Sequence, residues 1–320
     1  MLKVENLHVH YPVGRRMLRA VDGVSFDCAK GETLGIVGES GCGKSTTGRA
    51  ILGLVPRTSG SVTFDGQDPL AGSSSDRRAY RRRVQMVFQD PHASLSPRMS
   101  VGSIVSEPLE IHGIGGTVAE RRERVAGLLA ATGLPADAAE RYPHEFSGGQ
   151  RQRIGIARAL ALDPELIVLD EPVSALDISV RAQIANLLAE LQSKTGVAYV
   201  FIGHDLSLIR HVAHRVAVMY LGRIVETGPT DVLYRNPSHP YTRSLFASAP
   251  IPDPNQRTPA PSLEGDPPSP LDVPTGCRFR SRCTFAVEAC AHTDPVPVDL
   301  GDGQRVACLR AGELPVWRGR

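Results

Sequence analysis

Short apolar runs alternate with amphipathic segments along the chain as far as about Arg235. This alternation predicts an α/β fold around a mostly parallel sheet. Thr33 to Val37 reads as a buried strand that runs into a glycine-rich loop, and Gly43 to Leu54 reads as the helix that follows. Val84 to Phe88, Leu166 to Leu169 and Val197 to Ile202 read as further buried strands. From Ile178 to Gln192 the apolar residues Ile184, Leu187, Leu188 and Leu191 fall at helical spacing. Between about Ser100 and Ala131 the pattern is helical and rich in Arg and Glu, with no strand signal. Residues 91–145 are therefore predicted to form a helical subdomain inserted into an α/β core that spans 1–235.

The pattern then changes. Nine of the 25 residues from Pro250 to Pro274 are proline. Such a density sustains neither a helix nor a central strand, so an extended arm is expected. Four of the six cysteines follow it. Residues 236–320 therefore read as a separate, small, irregular Cys-rich module. The net charge of +2 gives no global basic excess. The run Arg77, Arg78, Arg81, Arg82, Arg83 has no aromatic interleaving beyond Tyr80, so it reads as a solvated helix face rather than a nucleic-acid surface. No stretch of about 18 apolar residues predicts a membrane span. The first residues lack the apolar core of a signal peptide, so the expected location is the cytosol.

Several short patterns carry chemistry. Gly38-Glu39-Ser40-Gly41-Cys42-Gly43-Lys44-Ser45, followed by Thr46, is G-x-x-x-x-G-K-[ST] between a strand and a helix. Its glycines let successive backbone N–H groups turn towards one anion, and the helix points its positive end at the same place. Lys44 is expected to reach the β- and γ-phosphates and Ser45 to ligate Mg²⁺. At Cys42 the backbone N–H is what serves the loop, and a bulky adduct on its thiol is expected to block ATP. Leu166 to Glu171 is an apolar strand ending in two acids. Asp170 is placed to hold Mg²⁺ and Glu171 to polarise an attacking water. Ser147-Gly148-Gly149-Gln150 opens a helix (Arg151 to Ala161) with Ser147 as N-cap, which makes a second anion-binding helix end.

In this order the motifs between Gly38 and His204 resemble the nucleotide-binding domain of ABC ATPases. The resemblance implies that Ser147 to Gln150 completes the ATP site of an opposite subunit in a head-to-tail dimer. Phe146 stands where the family usually has Leu. It implies further that Gln89 is the Q-loop residue that touches Mg²⁺ or water, that Asp177 lies in the D-loop across the dimer, and that His204 contacts the γ-phosphate. Tyr11 matches the adenine-stacking aromatic, for which its π-face is suited. ATP and Mg²⁺ are the implied cofactors.

Cys277, Cys283, Cys290 and Cys308 follow C-x5-C-x6-C-x17-C. This spacing matches neither common zinc modules nor ferredoxins. Unrelated thiols, a structural zinc and an iron–sulfur cluster all stay open, and a tail too short for its own core favours a metal staple. Pro237 to Arg243, Gly276 to Cys283 and Phe88 to Arg98 look like oligopeptide/dipeptide permease ATP-binding subunits, over nearly the whole chain. That resemblance implies a [4Fe–4S] cluster on the four cysteines, with Zn²⁺ as the alternative. It also implies a second ATPase subunit, two transmembrane permeases, an extracytoplasmic solute-binding protein and a peripheral place on the cytoplasmic face of the inner membrane. The expected activity is ATP hydrolysis that powers import of peptides or similar small solutes. The alternative, a soluble ABC ATPase in DNA repair or translation, usually brings paired domains or a long coiled coil, and neither is visible here.

Overall fold

The computed structural model describes residues 1–248 and 265–317. By contacts the chain forms two compact units, one built from residues 28–32 and 67–202, the other from 2–27, 33–66 and the described residues from 203 on.

In the first unit the strands Val84–Val87, Leu166–Asp170 and Ala198–Gly203 pair in parallel, with Val84 opposite Leu166 and Leu166 opposite Ala198. The last two are buried along their whole length. A parallel sheet covered on both faces needs such unbroken apolar strands, which is why they stand out in the sequence. The segment predicted as a helical subdomain is helical. It holds Pro91–Ser94, Val101–His112 and Val118–Ala131, then the 3₁₀ turns Ala136–Glu140 and Pro143–Glu145. Ser100 and Thr117 cap the two longer helices through their side chains. Val101, Ile104, Val105, Val125, Leu129, Leu134, Phe146 and Ile154 share one core there. The arginine run lies on the helix Ser74–Arg83, with Arg77, Arg78, Arg81 and Arg82 exposed.

The second unit opens with an antiparallel sheet absent from the sequence reading: Leu2–Val13 lies between Arg16–Cys28 and Ser59–Phe64. Its alternation is broken at two places. Asn6 takes φ 47 where the register with the neighbouring strand shifts, and Val21 and Asp22 are buried side by side before Gly23 at φ 87. A bulge flips the phase of the side chains and hides the period of two. Thr33–Val37 pairs in parallel with Arg215–Tyr220, which pairs antiparallel with Arg223–Pro229.

The tail does not stand apart as predicted. Its strand Gln304–Val306 adds antiparallel to Arg223–Pro229, with Arg305 opposite Thr227, and the hairpin closes with Val298–Gly301. A segment this short cannot bury a core of its own, so it extends an existing sheet. Buried Glu226 fixes the junction. Its carboxylate accepts from the N–H groups of Ser238 (2.7 Å) and His239 (3.0 Å), at the start of the helix Pro240–Ala247, and from Gln304 Nε2 (2.7 Å). The expected proline arm falls partly outside the described residues; from Gly265 to Pro274 the chain has neither helix nor strand.

Candidate active site

Strand Thr33–Val37 is buried throughout and delivers the glycine-rich loop to the helix Lys44–Ile51. Two glycines are sterically required. Gly38 has φ 155, and a Cβ there would lie 2.1 Å from the Met219 carbonyl oxygen. Gly43 has φ 107, and a Cβ there would lie 2.1 Å from the Ala20 oxygen. Lys44 is only 4% exposed. Its Nζ donates to the carbonyls of Gly38 and Glu39, both at 2.9 Å. Ser40 and Gly41 are exposed at the loop tip, while Ser45 and Thr46 are half-buried at the helix start. Cys42 is buried, and burial pushes its thiol pKa up against the opposing pull of Lys44. A protonated, covered thiol is a poor nucleophile, so ready alkylation is not what this environment gives. In the same unit Tyr11 is half-buried near the end of Leu2–Val13, and His204 is exposed just after Ala198–Gly203.

In the other unit, Asp170 ends its strand with no solvent exposure. Glu171 follows in the left-handed region at φ 45. That conformation is costly for a residue with a Cβ, and such strain concentrates at functional positions. It is held by the Glu171 N–H donating to Ile202 O (2.9 Å) and by Ser174, whose N–H (3.2 Å) and Oγ (3.1 Å) donate to the Glu171 carbonyl. Gln89 Nε2 donates to Glu171 Oε2 at 3.2 Å, so two of the expected site residues meet.

Ser147 caps the helix Gly148–Leu160 in a reciprocal pair: its Oγ accepts from Gln150 N–H (3.3 Å), and Gln150 Oε1 accepts from Ser147 N–H (2.9 Å). Gly149 allows close packing, since a Cβ there would lie 2.5 Å from Val180 Cγ1. Ser147, Gln150 and Asp177 are all exposed. Phe146 is buried with the Arg141 guanidinium 4.4 Å from its ring centroid.

The four tail cysteines line one small cavity, together with His239, Phe279, Phe285 and Leu309. Cys277 N–H donates to the Cys290 carbonyl at 2.8 Å. Burial pushes the Cys277 thiol up to about 11 and raises Cys283 and Cys308 as well. Among the described residues, the one group of three or more His, Cys, Asp or Glu with ligand atoms all within 4.8 Å of one another is His8, His10 and Asp22. It is a charge network: both histidines meet Asp22 Oδ1 (2.9 and 3.0 Å), while Arg278 and Arg223 face Oδ2. Guanidiniums on that carboxylate oppose a further cation there.

Sequence reasoning missed Glu39, Tyr241 and Arg282. The Glu39 N–H donates to Tyr241 Oη (2.8 Å), and Arg282 forms a two-pronged ion pair with its carboxylate (2.8 and 3.0 Å). No pattern could have shown a contact between residues 243 positions apart.

Residues 21–174 match the family described as ABC transporter, and residues 225–290 match the family described as oligopeptide/dipeptide transporter, C-terminal region. A protein of Brucella ovis named as a peptide import ATP-binding protein is 52% identical over 310 residues, which covers 97% of this chain and 98% of that one. The oligopeptide transport ATP-binding protein OppF of Escherichia coli is 49% identical, covering 98% of this chain and 97% of that protein. Among solved structures, the dimeric ATP-binding cassette MJ0796 bound to ADP and Pi is 31% identical, with a TM-score of 0.66 over 72% of this chain and 99% of that chain. The chain belongs to the ABC transporter family. It is an ATPase of the kind that couples ATP hydrolysis to transport, with ATP and Mg²⁺ as the cofactors that membership implies. Among the described residues no helix is long and apolar enough to cross a membrane.

Proposed function

We propose that this chain is the ATP-hydrolysing subunit that powers an ABC importer for peptides or similar small solutes. The observation that carries the reading is the pairing of the two family matches on one chain, supported by near-full-length identity of about half to OppF. Residues 1–235 serve as the nucleotide-binding domain and 236–320 as the permease-type C-terminal region. With no spanning helix among its described residues, the chain sits peripherally on the cytoplasmic face of the membrane and works with two separate permeases, a second ATPase subunit and an extracytoplasmic solute-binding protein.

We propose the following roles for the site residues. The loop N–H groups from Gly38 to Ser45 and the end of helix Lys44–Ile51 cradle the β/γ-phosphates, with Lys44 exchanging its carbonyl contacts for phosphate oxygens. Ser45, Gln89 and Asp170 are each proposed as a hard oxygen donor of the kind Mg²⁺ prefers, the ion that neutralises phosphate charge. Glu171 takes the proton of the attacking water as ATP and water become ADP and phosphate. Gln89 orients its carboxylate, a role that the 3.2 Å hydrogen bond supports. His204 contacts the γ-phosphate and Tyr11 stacks on adenine. Ser147 to Gln150 and Asp177, exposed on their own unit, complete the site of the partner ATPase.

We infer that the four thiols would hold a [4Fe–4S] cluster, with Zn²⁺ as the alternative. They are an all-sulfur set around one cavity. Anaerobically purified protein should be brown and carry iron. Colourless protein with zinc, or with no metal, contradicts this assignment.

The function is tested by recovering tagged Glu171→Gln protein from detergent-solubilised membranes with ATP and identifying its companions by mass spectrometry. Two multi-span permeases and a second ATPase are expected. Ribosomal or DNA-repair proteins without a permease would overturn the transport reading.

A further inference from the structure

A carboxylate inside a phosphate-binding loop is an electrostatic problem. Glu39 lies between Gly38 and Ser40, where a polyphosphate carrying several negative charges is to be received. Left alone, its charge would repel that ligand at short range, in surroundings that screen poorly. The structure answers this at every polar group of the residue. The main-chain N–H donates to Tyr241 Oη at 2.8 Å. The carbonyl accepts from Lys44 Nζ at 2.9 Å. The carboxylate is met by both Nη atoms of Arg282 at 2.8 and 3.0 Å. The Arg282 side chain is 5% exposed, against 22% for Glu39. Its guanidinium also lies 3.5 Å from Tyr220 Oη and 5.9 Å from the Tyr220 ring centroid. Tyr220, Tyr241 and Phe279 pack as an aromatic group, with centroids 4.7 to 5.4 Å apart, which fixes the platform behind the ion pair.

Two of these three anchors, Tyr241 and Arg282, come from beyond residue 174, where the ABC transporter match ends. We infer that Arg282 is a positioning residue of the nucleotide site: it holds Glu39 in place and cancels its charge, so the C-terminal region completes the phosphate-binding loop. The inference rests on the reading of Gly38 to Ser45 as that loop. A planar fork is needed to meet both carboxylate oxygens, which lysine cannot supply.

The test is nucleotide affinity of the full-length chain, measured with a fluorescent ATP analogue alongside thermal melting. Arg282→Ala should weaken binding about tenfold, the size of a typical coupling between contacting charged residues. Arg282→Lys should restore only part of the loss. The discriminating variant is the double Arg282→Ala, Glu39→Gln. Removing the uncompensated charge should recover most of the affinity, which a purely structural defect would not allow. Unchanged affinity in Arg282→Ala, or a double variant as weak as the summed single effects, would overturn the inference. Lys44→Ala is the control for the underlying reading. If it too binds ATP normally, the loop assignment falls; if it alone weakens binding, only the role of Arg282 falls.

Discussion

Single side chains here are set by what surrounds them, and Asp22 shows it best. Burial alone would push its carboxyl up, but the hydrogen bond and charge of Arg278, with hydrogen bonds from His10 and His8, outweigh burial and hold it well below the usual carboxylate range. The folded-state value is thus below the unfolded one. The contribution to stability is complete above about 3.9, the ordinary value, and is lost as pH falls through and below that range. Asp22→Asn leaves Arg278, whose side chain is 7% exposed, without its partner. It should cost about 3 kcal/mol at neutral pH. Denaturant unfolding at pH 7 and again at roughly pH 3 checks this, with the gap between variant and parent narrowing at the lower pH. An equal gap at both would contradict it. None of this was legible in the sequence, because Asp22 and Arg278 are 256 positions apart.

Among the elements, those that stand out in the sequence are the ones with an uninterrupted local signal. Leu166–Asp170 is apolar because both faces are covered, and the helix Gly148–Leu160 announces itself through Ser147 and Gln150, which cap each other. The Leu2–Val13 and Arg16–Cys28 strands are missed because a bulge at Asn6 and paired burial at Val21 and Asp22 break the period of two. The strand Gln304–Val306 is missed for another reason: three residues carry no pattern, and their pairing depends on a distant partner. The Ser147 cap can be separated from the phosphate-binding role proposed for it. Ser147→Ala should lower stability by about 1 kcal/mol in chemical unfolding. Ser147→Asp should cap as well as serine, so stability stays within about 0.5 kcal/mol, yet its carboxylate would face the partner's phosphates and depress turnover. Normal turnover in Ser147→Asp would remove Ser147 from the second ATP site.

For the whole molecule, the candidate site was legible wherever chemistry demands a fixed spacing. The loop from Gly38 to Ser45 needs its glycines at set intervals, and Gly38 and Gly43 do take conformations where a Cβ would strike backbone oxygens. Gln89 and Glu171 were read separately and are found hydrogen-bonded. The parts that tie the C-terminal region to the loop, Tyr241 and Arg282, were not legible, since only folding brings them to Glu39. The cysteine spacing matched no standard module, but folding places all four thiols on one cavity.

The hydrolysis proposed for this chain depends on the proposed role of Glu171 as the residue that activates water. The most direct measurement compares ATP binding and ATP turnover in Glu171→Gln and the unaltered protein, each recovered with its membrane partners. Gln keeps the size and one hydrogen-bond acceptor but cannot take a proton. Affinity should be retained while turnover falls about a hundredfold or more, the scale of lost general-base catalysis. Turnover at the unaltered rate would contradict the account.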